Sequence, residues 1–526
     1  MGCTPQQAVE VVNDLVTSRL QQFENTVLTE IPLLQDDHDL DAKAWSNVLQ
    51  YVKGLQDWLA GDHAWHLRSS RYMNAGGAQL QTVGPYVLPP APTGFGGLVE
   101  RLGIRVRARS VAGRAAMTSA GKSERLELPN FFMPYRVRCN PHLKATRIHA
   151  KAWAVKMGML ESGLSGWDES DFDSTDLPLF AAMICPEAPI EKLEVVAKWV
   201  IWGFFYEDFM DQSFKRTRDS AGAKVFQERM LTFMPVTHPA VIQQSLQLFV
   251  RPKAYSASGR RAERVGSDVQ ERPVKVALVP TNAVERALVD LWPSTANSMS
   301  EDWLHQFRWS IEYFFPGFLW EIHNLTQDRV PDPVDYFEMR RRTNGIVTPI
   351  ALMQYAIDRE IPSNLLRSLP MLRLIDTVID WESLINDVFS YQKEIDREQD
   401  FHNSVLVIQR FLEVDLRRAV SIANDLATSQ LRTFEETVAT DLPALAVEFN
   451  LDAEARENLD RCVEALRDLI AGYLHFHPLS GRYDTTAATR TGQAKGTSPA
   501  TMDSALMRLL GGHVGLGTAA TRLGPR

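Results

Sequence analysis

Residues 199–206 form a run of eight consecutive nonpolar or aromatic residues that ends directly at Glu207 and Asp208. A helix that is apolar on every side must be covered on every side, so this run predicts a central helix of a large helical bundle. The carboxylates then lie at the end of a buried helix, where an unneutralised charge is costly. A bound cation is the simplest neutraliser. The run therefore predicts a packed helical core with a polar site at its edge.

Long amphipathic patterns broken by Pro and Gly follow residue 140, with few of the alternating runs that are typical of strands. The patterns cover residues 142–159, 190–214, 284–291, 300–325, 347–355, 371–398, 417–439 and 453–472. The sequence therefore predicts an all-α fold, in which a site can be built from side chains on facing helices.

Composition excludes several classes of protein. The formal charge of −9 argues against nonspecific nucleic-acid binding, and an anionic substrate would need a bound cation. The four cysteines are too scattered to indicate a disulfide framework or a zinc site. No run approaches eighteen apolar residues, and no signal-peptide pattern is present. We therefore expect a cytoplasmic protein with no membrane span and no nucleic-acid partner.

Three oxygen-bearing side chains recur at intervals of four residues on one predicted helix face. They are Asn386, Ser390 and Glu394. Oxygen ligands without Cys or His suit Mg²⁺, which usually shares its coordination shell with substrate phosphates. A second acidic cluster consists of Glu207, Asp208 and Asp211. Together the two motifs predict a site that holds a diphosphate through magnesium.

These motifs resemble the aspartate-rich motif and the Asn/Ser/Glu triad of bacterial class I terpene synthases. Arg340, forty-six residues before Asn386, is similar to the diphosphate sensor of that family, and Arg482 with Tyr483 is similar to its Arg-Tyr pair. The resemblance extends from about residue 126 to 484. Within the family, residues 128–135, 151–160 and 214–219 look like the two-domain germacradienol/geosmin synthases.

The resemblance implies a lyase of isoprenoid biosynthesis with the class I terpene synthase helical bundle and three Mg²⁺ ions. It implies metal ligation by Glu207, Asp208, Asp211, Asn386, Ser390 and Glu394. It implies diphosphate binding by Arg340, Lys393, Arg482 and Tyr483, and these four with Glu207 and Asp208 are the expected catalytic residues. Phe204, Phe205 and Phe476 are candidates to line the substrate cavity and stabilise a carbocation.

Three functions follow from this resemblance. Similarity to the second domain of geosmin synthases implies conversion of germacradienol to geosmin and acetone, with inorganic diphosphate co-bound. An alternative is a sesquiterpene cyclase that ionises farnesyl diphosphate directly. A third is a catalytically silent isoprenoid-binding remnant, which Glu207 favours because the family usually has Asp there. The product and the oligomeric state stay open.

The chain also contains an internal duplication. Residues 13–72 align without a gap to residues 424–483, with twenty-seven identities in sixty positions. Since the Arg-Tyr pair lies near the end of a terpene synthase domain, residues 1–73 resemble the last helices of a first domain, and we expect the chain to be a fragment of a two-domain protein. Residues 74–124, rich in Gly and Pro, predict a linker, residues 125–485 a complete domain, and residues 486–526 a flexible tail.

Overall fold

The computed structural model describes residues 4–32, 34, 40–68, 126–161, 167–236, 247–249, 275–277 and 279–483. Its helices are α1 (Pro5–Asn25), α2 (Ala42–Arg68), α3 (Leu143–Met157), α4 (Glu169–Thr175), α5 (Leu177–Ile184), α6 (Ile190–Met210), α7 (Ser220–Leu231), α8 (Ala283–Ala296), α9 (Glu301–Gln327), α10 (Pro333–Thr343), α11 (Val347–Ile357), α12 (Ser363–Leu366), α13 (Leu369–Lys393), α14 (Ser404–Leu412), α15 (Leu416–Glu436), α16 (Leu442–Glu448) and α17 (Ala453–Phe476). Two short strands, β1 (Gln247–Phe249) and β2 (Lys275–Ala277), pair antiparallel with Leu248 opposite Val276. The predicted all-α fold is confirmed, with this ribbon as a small addition.

Helix α6 lies at the centre of the bundle, as the apolar run in its sequence predicts. It packs against α3, α5, α8 and α11. Trp199, Ile201 and Trp202 are at most 4% exposed although they point in different directions around the helix axis. The first carboxylate of the acidic cluster, Glu207, therefore stands where α6 leaves the core. Among the described helices, none combines the length and the apolar character that a membrane crossing requires.

Three of the predicted helical patterns end in a π turn: the pattern over residues 417–439 and the two patterns that contain the predicted metal-binding motifs. The pattern over residues 190–214 divides into α6 and a π turn at Asp211–Lys215, and the pattern over residues 371–398 divides into α13 and a π turn at Glu394–Glu398. π turns inside helices are rare and are often found at functional sites. The π turns at Asp211–Lys215 and Glu394–Glu398 each begin at the last acidic residue of a predicted metal-binding motif, so both motifs end where the regular α-helix ends.

The N-terminal segment repeats the last helices of the bundle. Helix α1, the π turn Thr26–Glu30 and the start of α2 recur 411 positions later as α15, the π turn Thr437–Asp441 and the start of α17. The segment has a small core of its own around Leu20, separate from the main core. This agreement of helix boundaries supports the duplication. The predicted linker at 74–124 and tail at 486–526 lie outside the described residues.

Helix α1 contacts the main bundle at the start of α10. The Ser18 hydroxyl donates a hydrogen bond to Asp332 Oδ2 at 2.8 Å, and Arg19 Nη1 lies 3.5 Å from Asp335 Oδ1. Because α10 also carries Arg340, the N-terminal segment touches the helix that bears the predicted diphosphate sensor.

Candidate active site

One cavity brings together most of the residues that the sequence singles out. It occupies about 1060 Å³, counting its open mouth. The predicted residues that line it are Glu207, Arg340, Asn386, Ser390, Lys393, Glu394, Arg482 and Tyr483. Its other walls include aromatic and aliphatic groups, among them Phe180, Trp199, Phe204, Ile311, Phe314 and Leu352. The arrangement combines a charged rim with an apolar interior.

The triad oxygens face this cavity from the end of α13. Asn386 Oδ1 accepts a hydrogen bond from Arg340 Nη2 at 2.8 Å, and Glu394 Oε2 accepts one from Asn403 Nδ2 at 2.8 Å. Ser390 Oγ is buried and has no hydrogen-bond partner among the described residues. A buried hydroxyl without a partner is unfavourable. The triad therefore has an unsatisfied oxygen where a cation would be expected.

Protonation of the cavity carboxylates also indicates a deficit of positive charge. Burial, followed by the charges of Asp387 and Asp400, raises the pKa of Glu394 to about 8. The Glu207 side chain is half exposed, but it faces the cavity, and the surrounding protein raises its pKa mainly through desolvation. A metal ion would compensate for both effects, since a bound cation favours the charged form of its ligands.

The other two members of the acidic cluster do not line the cavity. Arg482 Nη1 and Nη2 donate to the two oxygens of Asp208, both at 2.8 Å, and Trp167 Nε1 donates to Oδ2 at 2.6 Å. Burial by itself would raise the pKa of Asp208, but Arg482 holds it below the usual value. Asp211 Oδ2 accepts from Arg216 Nε at 3.0 Å. Asp208 and Asp211 are thus engaged by arginines in this structure.

Arg340 is held in place by a residue to which the sequence analysis assigns no role. Asp387 Oδ1 accepts from Arg340 Nε at 3.1 Å and Nη2 at 2.9 Å, while Oδ2 accepts from Tyr336 Oη at 2.7 Å and Ser404 N at 2.9 Å. This carboxylate is fully buried and fixes the guanidinium at the rim of the cavity. Asp387 adjoins Asn386 in the sequence, but only the tertiary structure shows which residues it binds.

The Arg-Tyr pair is positioned by a short 3₁₀ turn, Gly481–Tyr483. Ser480 Oγ donates to Thr175 O at 2.9 Å, which anchors the turn to α4. A Cβ atom at Gly481 would lie 2.9 Å from Ser174 Cβ, so only glycine allows this close approach. Tyr483 Oη accepts from Asn386 Nδ2 at 3.3 Å. The turn thereby brings the end of the domain to the triad.

The aromatic candidates divide between the cavity wall and the core. Phe204 lines the cavity, and its ring centroid lies 5.0 Å from the Arg482 guanidinium. Phe205 is buried against Trp167, and Phe476 stacks on Phe180 at 5.0 Å. Phe476 thus supports a wall residue, whereas Tyr473, which the sequence analysis does not single out, lines the cavity directly.

A second polar cluster lies beside the triad. Glu321, Asp400 and His402 offer ligand atoms within 4.8 Å of one another, as in a metal site. However, Lys215 Nζ lies 2.7 Å from Glu321 Oε2 and also pairs with Asp400. The ammonium group therefore already supplies positive charge to these carboxylates, and the cluster is an internal ion-pair network.

Comparison with protein families agrees with this site. Residues 198–433 match the model of "Terpene synthase family 2, C-terminal metal binding". The chain is 24% identical to the pristinol synthase of Streptomyces pristinaespiralis, over 67% of this chain and 84% of that one. It is also 24% identical to a 7-epi-alpha-eudesmol synthase of Streptomyces viridochromogenes, over 67% of this chain and 91% of that one.

Solved structures share the fold. The germacradien-4-ol synthase of Streptomyces citricolor superposes with a TM-score of 0.52 at 20% identity, covering 66% of this chain and 98% of that chain. An α-eudesmol synthase superposes with a TM-score of 0.52 at 22% identity, covering 67% and 100%. The matched metal-binding domain spans both predicted metal-binding motifs, and the named relatives are terpene synthases. The similarity therefore assigns residues 198–433 to the metal-binding domain of terpene synthase family 2 and identifies the chain as an enzyme of the lyase class.

Proposed function

We propose that the domain over residues 125–485 is a magnesium-dependent terpene synthase of the germacradienol/geosmin type, which converts germacradienol and one water molecule to geosmin and acetone. The observation that carries the proposal is the meeting of the triad, Glu207 and three basic side chains at the rim of one apolar cavity. Such a rim suits a metal–diphosphate group, and such an interior suits an isoprenoid.

Glu207, Asn386, Ser390 and Glu394 are the residues best placed to hold Mg²⁺, because their oxygens face the cavity. The unpartnered Ser390 hydroxyl and the raised pKa of Glu394 both favour a cation there. Asp208 and Asp211 would bind the metal only if they released their hydrogen bonds with Arg482 and Arg216. Bound magnesium would supply Lewis-acid stabilisation of diphosphate charge.

The basic residues would bind diphosphate oxygens directly. Arg340 offers a guanidinium that Asp387 holds rigidly, and a rigid planar fork suits phosphate oxygens. Arg482 is paired with Asp208, so diphosphate would compete for its donors. Lys393 lies beside the triad and pairs with Glu398 at 2.9 Å. Diphosphate binding would thus draw the α6 and α13 sides of the rim together and exclude bulk water.

The choice of germacradienol rests on the subfamily resemblance in residues 128–135, 151–160 and 214–219. Germacradienol carries no diphosphate of its own. We therefore propose that inorganic diphosphate binds with the metal to close the site, while the aromatic wall at Phe204 faces the positively charged intermediate.

A second candidate function is direct cyclisation of farnesyl diphosphate. The complete set of Arg340, Lys393 and Arg482 favours it, because a substrate that carries its own diphosphate would use all three. One of the relatives, the 7-epi-alpha-eudesmol synthase, is described as cyclising (2E,6E)-farnesyl diphosphate.

Gas chromatography with mass spectrometry of parallel incubations tests these proposals. One incubation contains germacradienol and the other farnesyl diphosphate, each with and without Mg²⁺ and inorganic diphosphate. Geosmin from germacradienol supports the first function, and a terpene from farnesyl diphosphate supports the second. Undiminished geosmin formation without Mg²⁺ and diphosphate would contradict the proposed closure of the site.

A matched pair of variants, one at Glu394 directly after the last residue of α13 and one within α13, separates the site from the scaffold. Glu394→Gln removes a proposed ligand charge and should abolish product formation. Asp376→Asn removes a carboxylate that is half exposed on the same helix and pairs with Arg341 outside the cavity, so it should leave product formation near the wild-type level. Equal loss in both variants would mean that the effect is on folding.

A further inference from the structure

The acidic motif and the triad lie on different helices, and Lys215 is the side chain that joins their ends. It closes the π turn Asp211–Lys215, which begins at the last residue of the acidic motif. Its ammonium group is buried and reaches Asp400 in the segment that follows the triad, 185 residues later in the chain. Glu321 Oε2, on α9, is its second partner at 2.7 Å.

The segment that receives Lys215 also orients the triad glutamate. Asp400 N donates to Glu394 O at 3.0 Å. Asn403 Nδ2 donates both to Glu394 Oε2 and to Asp387 O, each at 2.8 Å. His402 packs against Asp400, with Nδ1 2.6 Å from Asp400 Oδ1. Movement of Asp400 would therefore move the donor that fixes the Glu394 carboxylate.

We propose that Lys215 is a positioning residue that sets the acidic motif and the triad in register, so that both can bind one metal–diphosphate group. This inference rests on the proposed function. The contacts form a continuous path from the π turn at Asp211 through Lys215 and Asp400 to Glu394, and physical coupling between sites needs such a path. Partners that orient metal ligands typically change metal affinity by about 10–100-fold when they are removed.

The test measures magnesium binding separately from catalysis. Thermal unfolding of the full chain is followed as Mg²⁺ is titrated at a fixed concentration of inorganic diphosphate, because ligands of the folded state raise its stability. Lys215→Met combined with Glu321→Gln breaks the link while removing one charge of each sign. We expect the half-saturating Mg²⁺ concentration to rise at least about tenfold.

Two controls isolate the link to Asp400. Glu321→Gln alone keeps Lys215 paired with Asp400, and its half-saturating Mg²⁺ concentration should stay within about threefold of wild type. Arg229→Met with Glu285→Gln removes another ion pair, at 2.7 Å, between α7 and α8 outside the cavity. It should leave magnesium binding unchanged even if it lowers the unfolding temperature.

Asp400→Asn tests the proposal if the double variant Lys215→Met with Glu321→Gln does not fold. Asn has nearly the same shape as Asp and leaves Lys215 balanced by Glu321, so this variant should fold and still show weakened magnesium binding. A wild-type half-saturating concentration in either folded variant overturns the role of Lys215. By contrast, wild-type protein that gains no stability from Mg²⁺ and diphosphate together would overturn the proposed function itself.

Discussion

Glu394 is placed where burial and neighbouring negative charge both oppose its ionisation. The pKa of its carboxyl group is about 8, whereas the pKa of a Glu side chain in an unfolded chain is about 4.3. A carboxyl group whose folded-state pKa is raised contributes stability that is fully present below the unfolded pKa and is lost as the pH rises through the folded pKa. The metal-free protein should therefore lose stability between these two pH values.

We predict that wild-type protein without metal loses stability relative to Glu394→Gln as the pH rises from about 4.5 to about 8. The slope should be at most about 1.4 kcal/mol per pH unit, because a single carboxyl group releases at most one proton. Urea unfolding of both proteins at several pH values measures it. Saturating Mg²⁺ with diphosphate should flatten the curve, and parallel stabilities across this range would contradict the assigned pKa.

Glu382 presents a different case one helical turn before Asn386. It is completely buried, and neither of its carboxyl oxygens has a hydrogen-bond partner among the described residues. Burial raises its pKa well above the usual value. An uncompensated buried polar group destabilises a fold.

Glu382→Met should therefore stabilise the protein by about 1–3 kcal/mol, because it removes a polar group without a partner at nearly constant volume. Urea unfolding at pH 7 measures the change, with Glu382→Gln as the control that keeps the polarity. A loss of stability on replacement by Met would show that the carboxyl group is satisfied in solution.

At the scale of elements, α10 determines where Arg340, the predicted diphosphate sensor, lies. Asp332 caps its N-terminus by accepting from Val334 N at 2.9 Å and Asp335 N at 3.0 Å. Tyr336, about one turn later, and Arg340, about two turns later, both reach Asp387 on α13. The cap therefore anchors the helix that carries Arg340.

Asp332→Ala should lower the free energy of unfolding by about 1 kcal/mol and also weaken diphosphate binding, because it loosens the base of α10. Asp415→Ala removes the equivalent cap of α15, where Asp415 Oδ1 accepts from Arg418 N at 2.7 Å. We expect a similar loss of stability there with unchanged diphosphate binding. Calorimetric titration with diphosphate and Mg²⁺ distinguishes the two variants, and equal affinities would contradict this role for α10.

The helices themselves were predictable because their periodicity is local. Each of the eight amphipathic patterns falls on a helix of the structure. The predicted pattern at 284–291 stopped short of the real end of α8 at Ala296, since Pro293 lies inside the helix. The π turns were not predicted, because their residues continue the helical pattern without a break.

At the scale of the whole molecule, the N-terminal repeat exposes a face that its second copy buries. Val12 and Val16 are 57% and 50% exposed, whereas the matching Ala423 and Ala427 are at most 2% exposed. Helix α15 packs closely on α13, and in the described part of the chain α1 has no such cover. An exposed apolar face of this kind favours association.

Removal of residues 1–125 should therefore preserve the catalytic domain. The described part of the N-terminal segment contributes no residue to the cavity, has its own small core, and adds polar contacts with α10 that include a half-exposed Arg19. Exposed ion pairs contribute about 0–1 kcal/mol. We expect the half-saturating Mg²⁺ concentration, measured with diphosphate present, to stay within about threefold of that of the full chain. We also expect less light scattering, because the exposed apolar face of α1 is removed. A truncated protein that no longer binds diphosphate would show that α1 supports α10.

By itself, the sequence determined the helices, the oxygen-bearing side chains of the two motifs and the internal repeat, because these depend on spacings within one turn or on direct similarity along the chain. Only the tertiary structure decided which charges meet. Arg340 pairs with Asp387, Arg482 with Asp208 and Lys215 with Asp400 across 47, 274 and 185 residues. Such pairs depend on how helices pack, and periodicity records which face of a helix is buried but not which helix covers it.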